Sequence, residues 1–148
     1  MGAVMTARAL GVDLGSKRIG LAISDPTGTV ASPFDVLNRS GDPGRDYGAI
    51  VAAARDAEAR TIVVGLPLSL SGAEGPAAKA ARAEVQDLRT LADAAGIDVV
   101  LHDERLTTVT AERALQEARM RREARRRVVD KVAAAVMLQS WLERQANS

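Results

Sequence analysis

The sequence contains no cysteine, one histidine and only three aromatic residues among its 148 positions. Without cysteine the chain cannot form disulfides or thiolate zinc sites, and a cysteine nucleophile is excluded. Phe34, Tyr47 and Trp141 are too few to build the aromatic platforms on which many proteins stack single-stranded nucleic acid. No apolar run approaches the roughly 20 residues that cross a bilayer, and the first residues lack the pattern of a secretory leader. We therefore expect a cytoplasmic protein with no membrane partner.

The length of the chain fits one compact domain that buries enough surface to fold without a metal or disulfide. We expect residues 1–148 to form this single domain. Within it, we expect residues 1–7 to be a flexible N-terminal tail and residues 119–127 to be a basic loop or helix.

Basic residues are concentrated near the C-terminus, although the net charge of the chain is only +1. Residues 1–104 contain 10 basic and 14 acidic residues, whereas residues 105–148 contain 10 basic and 5 acidic residues. Such a patch can neutralise a phosphate backbone and release its counterions. The alternative is a solvated helix face in a chain rich in arginine and alanine. Seven of these basic residues lie within positions 119–131: Arg119, Arg121, Arg122, Arg125, Arg126, Arg127 and Lys131.

Hydrophobic periodicity predicts an α/β protein. Residues 9–15 and 18–25 alternate as two strands, joined by Gly15-Ser16-Lys17 in a hairpin. A third strand is predicted near 29–38, where Pro33 makes it either an edge strand or a bent one. We then predict helices over 45–59, 76–95, about 108–118 and about 128–145, with strands over 61–67 and 97–102. This order gives a mixed five-stranded sheet flanked by helices, with three antiparallel strands first and parallel crossovers after them.

Three acidic residues stand out by their positions. Asp13 lies inside an apolar strand, Glu104 follows another strand, and Asp130 falls within the last helix. A carboxylate in an apolar strand needs compensation, and three that converge would repel one another unless a cation neutralised them. Oxygen ligands without cysteine favour Mg²⁺ or Mn²⁺, and two such ions can activate water against a phosphodiester. The alternative is that the three acids are unrelated.

Two further interpretations of the residues stay open. The segment Asp13–Lys17 is reminiscent of the first phosphate loop of actin-like ATPases, which would make the chain a nucleotide-dependent phosphotransferase. However, the sequence contains neither a P-loop nor a GxGxxG motif. His102, the sole histidine, is either a proton shuttle beside Glu104 or a packed residue at the end of a strand.

Four ordered motifs resemble the YqgF/RuvX family over about residues 8–143. They are GVDLGSKRIG at 11–20, GLPL at 65–68 followed by Gly72, DERLTT at 103–108, and Asp130-Lys131 followed by Ala133-Ala134. The resemblance implies an RNase H-like fold similar to RuvC resolvase and a metal-dependent nuclease acting on structured nucleic acid. Members of the family are described either as nucleases that mature the 5′ end of pre-16S ribosomal RNA or as Holliday junction resolvases.

The resemblance also implies roles for individual residues. Asp13 would bridge two Mg²⁺ (or Mn²⁺) ions that Glu104 and Asp130 also hold, so these three acids are the expected catalytic and metal residues. Glu104 departs from the RuvC pattern, because the strand IVVGLP that would carry the second acid there has none. The residues expected to contact nucleic acid are Lys17, Arg18, Arg105, Arg121, Arg122, Arg125, Arg126, Arg127 and Lys131.

The expected partner is therefore structured RNA, such as precursor ribosomal RNA, or branched DNA. A resolvase that cuts two strands symmetrically requires a two-fold homodimer, whereas trimming ribosomal RNA does not. The competing class is a non-catalytic factor that docks on RNA, the ribosome or the transcription machinery through the same basic patch.

Overall fold

The structure, a computed structural model, describes residues 8–68, 71–104 and 122–147. The expected tail at residues 1–7 and the expected helix at 108–118 lie outside these residues. The strands are β1 (Arg8–Leu14), β2 (Arg18–Ser24), β3 (Ala31–Asn38), β4 (Ala59–Leu66) and β5 (Asp98–Asp103), and the helices are α1 (Pro43–Asp56), α2 (Pro76–Ala94) and α3 (Arg122–Ala146).

The five strands form one sheet in the order β3-β2-β1-β4-β5. β1, β2 and β3 are antiparallel neighbours, whereas β4 runs parallel to β1 and β5 runs parallel to β4. This arrangement confirms the predicted mixed sheet. β3 lies at the edge, where Pro33 can be accommodated because an edge strand has one side without ladder hydrogen bonds.

The two faces of the sheet differ in side-chain size. Large residues such as Leu10, Val12 and Leu21 form the main core together with buried residues of α1 and α2. The opposite face carries small residues, and α3 packs directly on it. A Cβ atom added at Gly11 would lie 2.9 Å from the Cβ of Leu138. The small side chains of β1 therefore allow α3 to approach the backbone of the sheet closely.

Two helix boundaries differ from the predicted ones by three residues or more. α1 ends at Asp56 rather than at residue 59, because Glu58 adopts a left-handed conformation with φ of 60° and turns the chain into β4. α3 begins at Arg122 rather than near residue 128, so the backbone of 122–127 is helical. In the described part of the chain, no helix is long and apolar enough to cross a membrane.

Candidate active site

Asp13 lies near the end of the central strand, on the face that α3 covers. Its partner on β2 is Gly20, and the pairing of β1 with β4 reaches Val64, one residue before Gly65. Asp13 is therefore flanked by a glycine on each side. Because neighbouring strands are about 4.8 Å apart, the two glycines lie roughly 10 Å from each other with Asp13 between them.

Glu104 follows β5 in a short turn and extends over the neighbouring strand. A Cβ atom added at Gly65 would lie 3.0 Å from both the Cγ and the Cδ of Glu104, and closer still to its Oε1. Only a residue without a side chain leaves room for the carboxylate here. The second acid, although carried by a different strand from that of RuvC-like enzymes, is thus directed toward β1.

Asp130 occupies the corresponding position on the other side of Asp13. A Cβ atom added at Gly20 would lie 2.7 Å from the carbonyl carbon of Asp130, so α3 contacts the backbone of β2 at this point. The Nε of Arg18 donates a hydrogen bond of 2.7 Å to Oδ2 of Asp130. The structure therefore places Glu104 and Asp130, from two other elements, near enough to Asp13 for their charges to act on it.

The surroundings of Asp13 and Glu104 raise the pKa values of both carboxyl groups. Burial, followed by the charges of Glu104 and Asp130, raises the pKa of Asp13 to about 7. Burial also raises the pKa of Glu104, with a further contribution from Asp103. A bound cation would favour the ionised form of both groups and remove the repulsion between them.

The chemistry of this donor set fits a hard divalent cation. All three side chains offer carboxylate oxygens, which Mg²⁺ and Mn²⁺ prefer. Within the described residues, however, no group of three or more acidic or histidine side chains is placed so that it could hold a metal ion, and Arg18 contacts one oxygen of Asp130. Asp13 and Glu104 line the same cleft, and the charge of Asp130 acts on Asp13.

The structure describes the side chains of only some of the basic residues that were predicted to contact nucleic acid. Lys17 is exposed at the tip of the β1–β2 turn, Arg18 pairs with Asp130, and Lys131 is half-buried on α3. Arg105 and Arg121 lie outside the described residues. The same holds for the side chains of Arg122, Arg125, Arg126 and Arg127, whose backbone belongs to α3.

His102 is a packed residue in the structure. Its side chain is buried on the α3 face, and its Nε2 lies 3.0 Å from the Oγ of Ser140. Burial, followed by the charge of Arg144, lowers the pKa of His102. The histidine therefore joins β5 to α3, and this contact favours the packed interpretation over the proton shuttle.

Sequence reasoning missed a polar cluster behind Asp13. Asp13 and Glu104 line a cleft of about 490 Å³ whose wall includes Arg39 and Glu84. The guanidinium of Arg39 contacts both carboxylate oxygens of Glu84, at 2.6 and 3.2 Å. The hydroxyl of Tyr47 donates to the same carboxylate at 2.8 Å. No spacing pattern links positions 39, 47 and 84, so the sequence alone contains no signal for this cluster.

Known sequences are similar to this chain over most of its length. The profile of the family described as "RuvX: Holliday junction resolvase" matches residues 7–144. The chain belongs to the RuvX family. A relative from Myxococcus xanthus named "Putative pre-16S rRNA nuclease" is 43% identical over 136 residues, which cover 92% of this chain and 87% of the relative. A relative of the same name from Pelotomaculum thermopropionicum is 44% identical over 138 residues and is covered to 88%.

Solved structures confirm the RNase H-like fold expected of a RuvX chain. The Thermus thermophilus RuvC in complex with a Holliday junction substrate superposes with a TM-score of 0.62 at 16% identity, covering 95% of this chain and 96% of that one. The yeast mitochondrial Holliday junction resolvase gives a TM-score of 0.60 at 12% identity, covering 95% and 81%. These similarities extend over nearly the whole RuvX chain and concern its fold.

Proposed function

We propose that this chain is a divalent-metal-dependent endonuclease whose main substrate is the precursor of 16S ribosomal RNA, cut at its 5′ end. One observation carries the proposal: the Glu104 carboxylate lies over Gly65, the backbone of Asp130 lies over Gly20, and the charges of both acids act on Asp13 between these two glycines. The names of relatives more than 40% identical to the chain supply the substrate class. Oxygen ligands and a phosphodiester substrate are the usual combination in metal-dependent nucleases.

The residues of the site divide into two groups. Asp13, Glu104 and Asp130 would hold Mg²⁺ or Mn²⁺. When bound, the cations supply an activated water and neutralise charge on the leaving oxygen. Lys17, Arg18 and Arg105 would contact phosphates next to the scissile bond. Sequence-independent binding to the phosphate backbone would come from Arg121, Arg122, Arg125, Arg126, Arg127 and Lys131.

The products follow from which bond breaks. In the reaction that the family resemblance implies, water attacks the phosphorus and displaces the 3′ oxygen of the preceding nucleotide. The attacking water gives a proton to solvent, and the displaced 3′ oxygen takes up a proton. This outcome leaves a 5′-phosphate and a 3′-hydroxyl. At neutral pH, ionised Asp13 and Glu104 are required in this role, and since the pKa of Asp13 is raised to about 7, a bound cation would favour its ionised form.

A second candidate function is the resolution of four-way DNA junctions. The description of the matching family names this activity. Symmetric cutting of two strands requires two active sites related by a two-fold axis. The resolvase candidate therefore predicts a homodimer, whereas the ribosomal RNA nuclease requires only one chain.

The deciding experiment compares cleavage of precursor 16S RNA and of a four-way DNA junction at equal salt, with Mg²⁺ or with a chelator. We expect Mg²⁺-dependent cleavage of the RNA, loss of cleavage in Asp13→Asn, and binding that survives the substitution. Asp98→Asn, at the exposed start of β5, is the matched control. Preferred cleavage of the junction would favour the second candidate. Binding without cleavage under all conditions would identify a non-catalytic factor.

A separate measurement tests the basic segment. Neutralising Arg125, Arg126 and Arg127 together should weaken binding to all sequences. It should also reduce the slope of log affinity against log salt by up to about 0.7–0.9 for each phosphate that the variant no longer neutralises. An unchanged slope would assign these arginines to a solvated helix face.

A further inference from the structure

Arg39 joins three elements that are far apart in the sequence. Its backbone N–H donates to the carbonyl of Lys17 at 2.9 Å, and its Nε donates to the carbonyl of Gly15 at 2.8 Å. Its two terminal nitrogens contact both oxygens of Glu84 on α2. One residue thus connects the end of β3, the β1–β2 turn and α2.

The β1–β2 turn lies beyond the part of β1 that pairs with β4, so its position depends on other contacts. The pairing of β1 with β4 extends as far as Val12, so Asp13 and Gly15 lie beyond the last of these paired residues. On the other side, the N–H of Gly15 donates to the carbonyl of Arg18 at 3.0 Å, which closes the turn. Arg39 adds hydrogen bonds to two of the turn's carbonyls from outside.

Glu84 fixes the orientation of Arg39. A bidentate pair between a planar guanidinium and a carboxylate restricts both groups to one geometry. The hydroxyl of Tyr47 donates to Glu84 as well, so the carboxylate is held from α1 and from Arg39 together. The exposed fractions of the Arg39 and Glu84 side chains are 20% and 23%, so solvent weakens the pair only in part.

We propose that Arg39, held by Glu84 and Tyr47, is a positioning residue that fixes the β1–β2 turn and thereby the direction of the Asp13 carboxylate. The proposal rests on the proposed nuclease function, because Asp13 must point at the reacting phosphate for the placement to matter. Arg39 itself contacts the backbone of the turn rather than the acids. A rigid supporting shell of this kind typically contributes about 10–100-fold to activity at metal sites.

The test compares Arg39→Lys and Arg39→Ala with Arg82→Ala, a matched control in which an arginine of α2 no longer pairs with Glu74. Lysine keeps the positive charge, but one ammonium cannot hold Glu84 and the carbonyl of Gly15 in the same fork geometry. Two quantities are measured: hydrogen exchange of the Gly15 amide by NMR, and kcat and KM for Mg²⁺-dependent cleavage. Urea unfolding verifies that each variant is folded.

We expect the Gly15 amide to exchange at least about 10-fold faster in both Arg39 variants. We also expect kcat to fall by at least about 10-fold in both. KM should stay within about two-fold, and Arg82→Ala should match the wild type in every measurement. Unchanged exchange in Arg39→Lys would overturn the proposal, and so would faster exchange with unchanged kcat. If the wild type cleaves nothing, the proposed function fails, and the exchange of Gly15 then decides the role of Arg39 in the turn by itself.

Discussion

Two arginine–carboxylate pairs tie the region of the β1–β2 turn to helices on opposite faces of the sheet. Arg18 pairs with Asp130 of α3, and Arg39 pairs with Glu84 of α2. The side chains of the two pairs are similarly exposed, at 25% and 23% for the first and 20% and 23% for the second. Burial therefore does not distinguish them.

The partners of the two pairs differ. The contact between Arg18 and Asp130 joins one nitrogen to one oxygen, beside Asp13 and Glu104. The Arg39–Glu84 contact is bidentate and is extended by Tyr47 and by the carbonyl of Gly15. The first pair includes Asp130, a candidate metal ligand, whereas the second supports the β1–β2 turn without joining the three acids. We call Arg39–Glu84 the frame pair, and we call the three acids the site. Similar ion pairs can thus serve different purposes within one chain.

The largest expected difference between the pairs is in activity. Asp130→Asn removes a candidate ligand and should lower the cleavage rate by more than about 100-fold. Glu84→Gln keeps an amide that can still accept from Arg39, and should lower the rate by less than about 10-fold. Initial rates at saturating Mg²⁺ measure both. Equal decreases in the two variants would remove the distinction between site and frame.

The next largest expected effect is the dependence of folding stability on pH. The carboxyl of Asp13 has a pKa of about 7 in the folded protein, raised from 3.8, so the unfolded chain ionises first and stability falls as pH rises between these values. Asp13→Asn should therefore be more stable than the wild type above pH 7, by no more than about 4 kcal/mol. The advantage should vanish below about pH 4.

Urea unfolding at several pH values, in the presence of a chelator, checks this prediction. Asp98→Asn replaces an exposed aspartate at the other end of β5 and should follow the wild type throughout. A constant difference between Asp13→Asn and the wild type from pH 4 to pH 8 would contradict the electrostatic origin of the effect.

Mg²⁺ should raise the thermal stability of the protein by binding at Asp130 of the first pair, whereas Glu84 of the second pair should not be needed. A cation that binds the folded state alone raises stability by about 2.7 kcal/mol at 100 times its dissociation constant. We expect Mg²⁺ to raise the Tm of the wild type and of Glu84→Gln, and to leave the Tm of Asp13→Asn and Asp130→Asn nearly unchanged. Calorimetry with and without the ion measures this. An equal shift in all four proteins would place the cation elsewhere.

The smallest effect concerns Tyr47, which supports the frame pair only. Tyr47→Phe removes one hydrogen bond to Glu84 and should destabilise the protein by about 1 kcal/mol. Burial, followed by the hydrogen bond to Glu84, raises the pKa of this tyrosine to about 12, so an ultraviolet titration shows whether the phenol keeps this environment in solution. Phenol ionisation near its ordinary pKa would show that it does not.

The sequence allowed the sheet to be predicted, and the three acids to be proposed as a site, for simple physical reasons. Alternation of large and small residues identifies β1 and β2, and a carboxylate such as Asp13 inside an apolar strand demands compensation. The glycines at 20 and 65 are visible in the sequence as well. That they receive Asp130 and Glu104 depends on how α3 and β5 cross the sheet, which no local pattern encodes.

Other features required the three-dimensional structure. Arg39 and Glu84 are 45 residues apart and meet only because β3 and α2 flank the same turn. The early end of α1 depends on a positive φ at Glu58, a conformation that glutamate seldom adopts. Lys17 and Arg18 are adjacent in the sequence, yet one side chain is exposed and the other binds Asp130.

The uninterrupted course of α3 has a mechanical consequence. The arginine-rich segment at 122–127 and Asp130 belong to one helix without a break, so they translate and rotate as a single body. An inserted residue between positions 127 and 130 would swing the whole upstream segment by about 100° around the axis and advance it by about 1.5 Å. Length in this stretch is therefore constrained more tightly than composition, and arginine could be exchanged for lysine far more readily than one residue could be inserted or deleted.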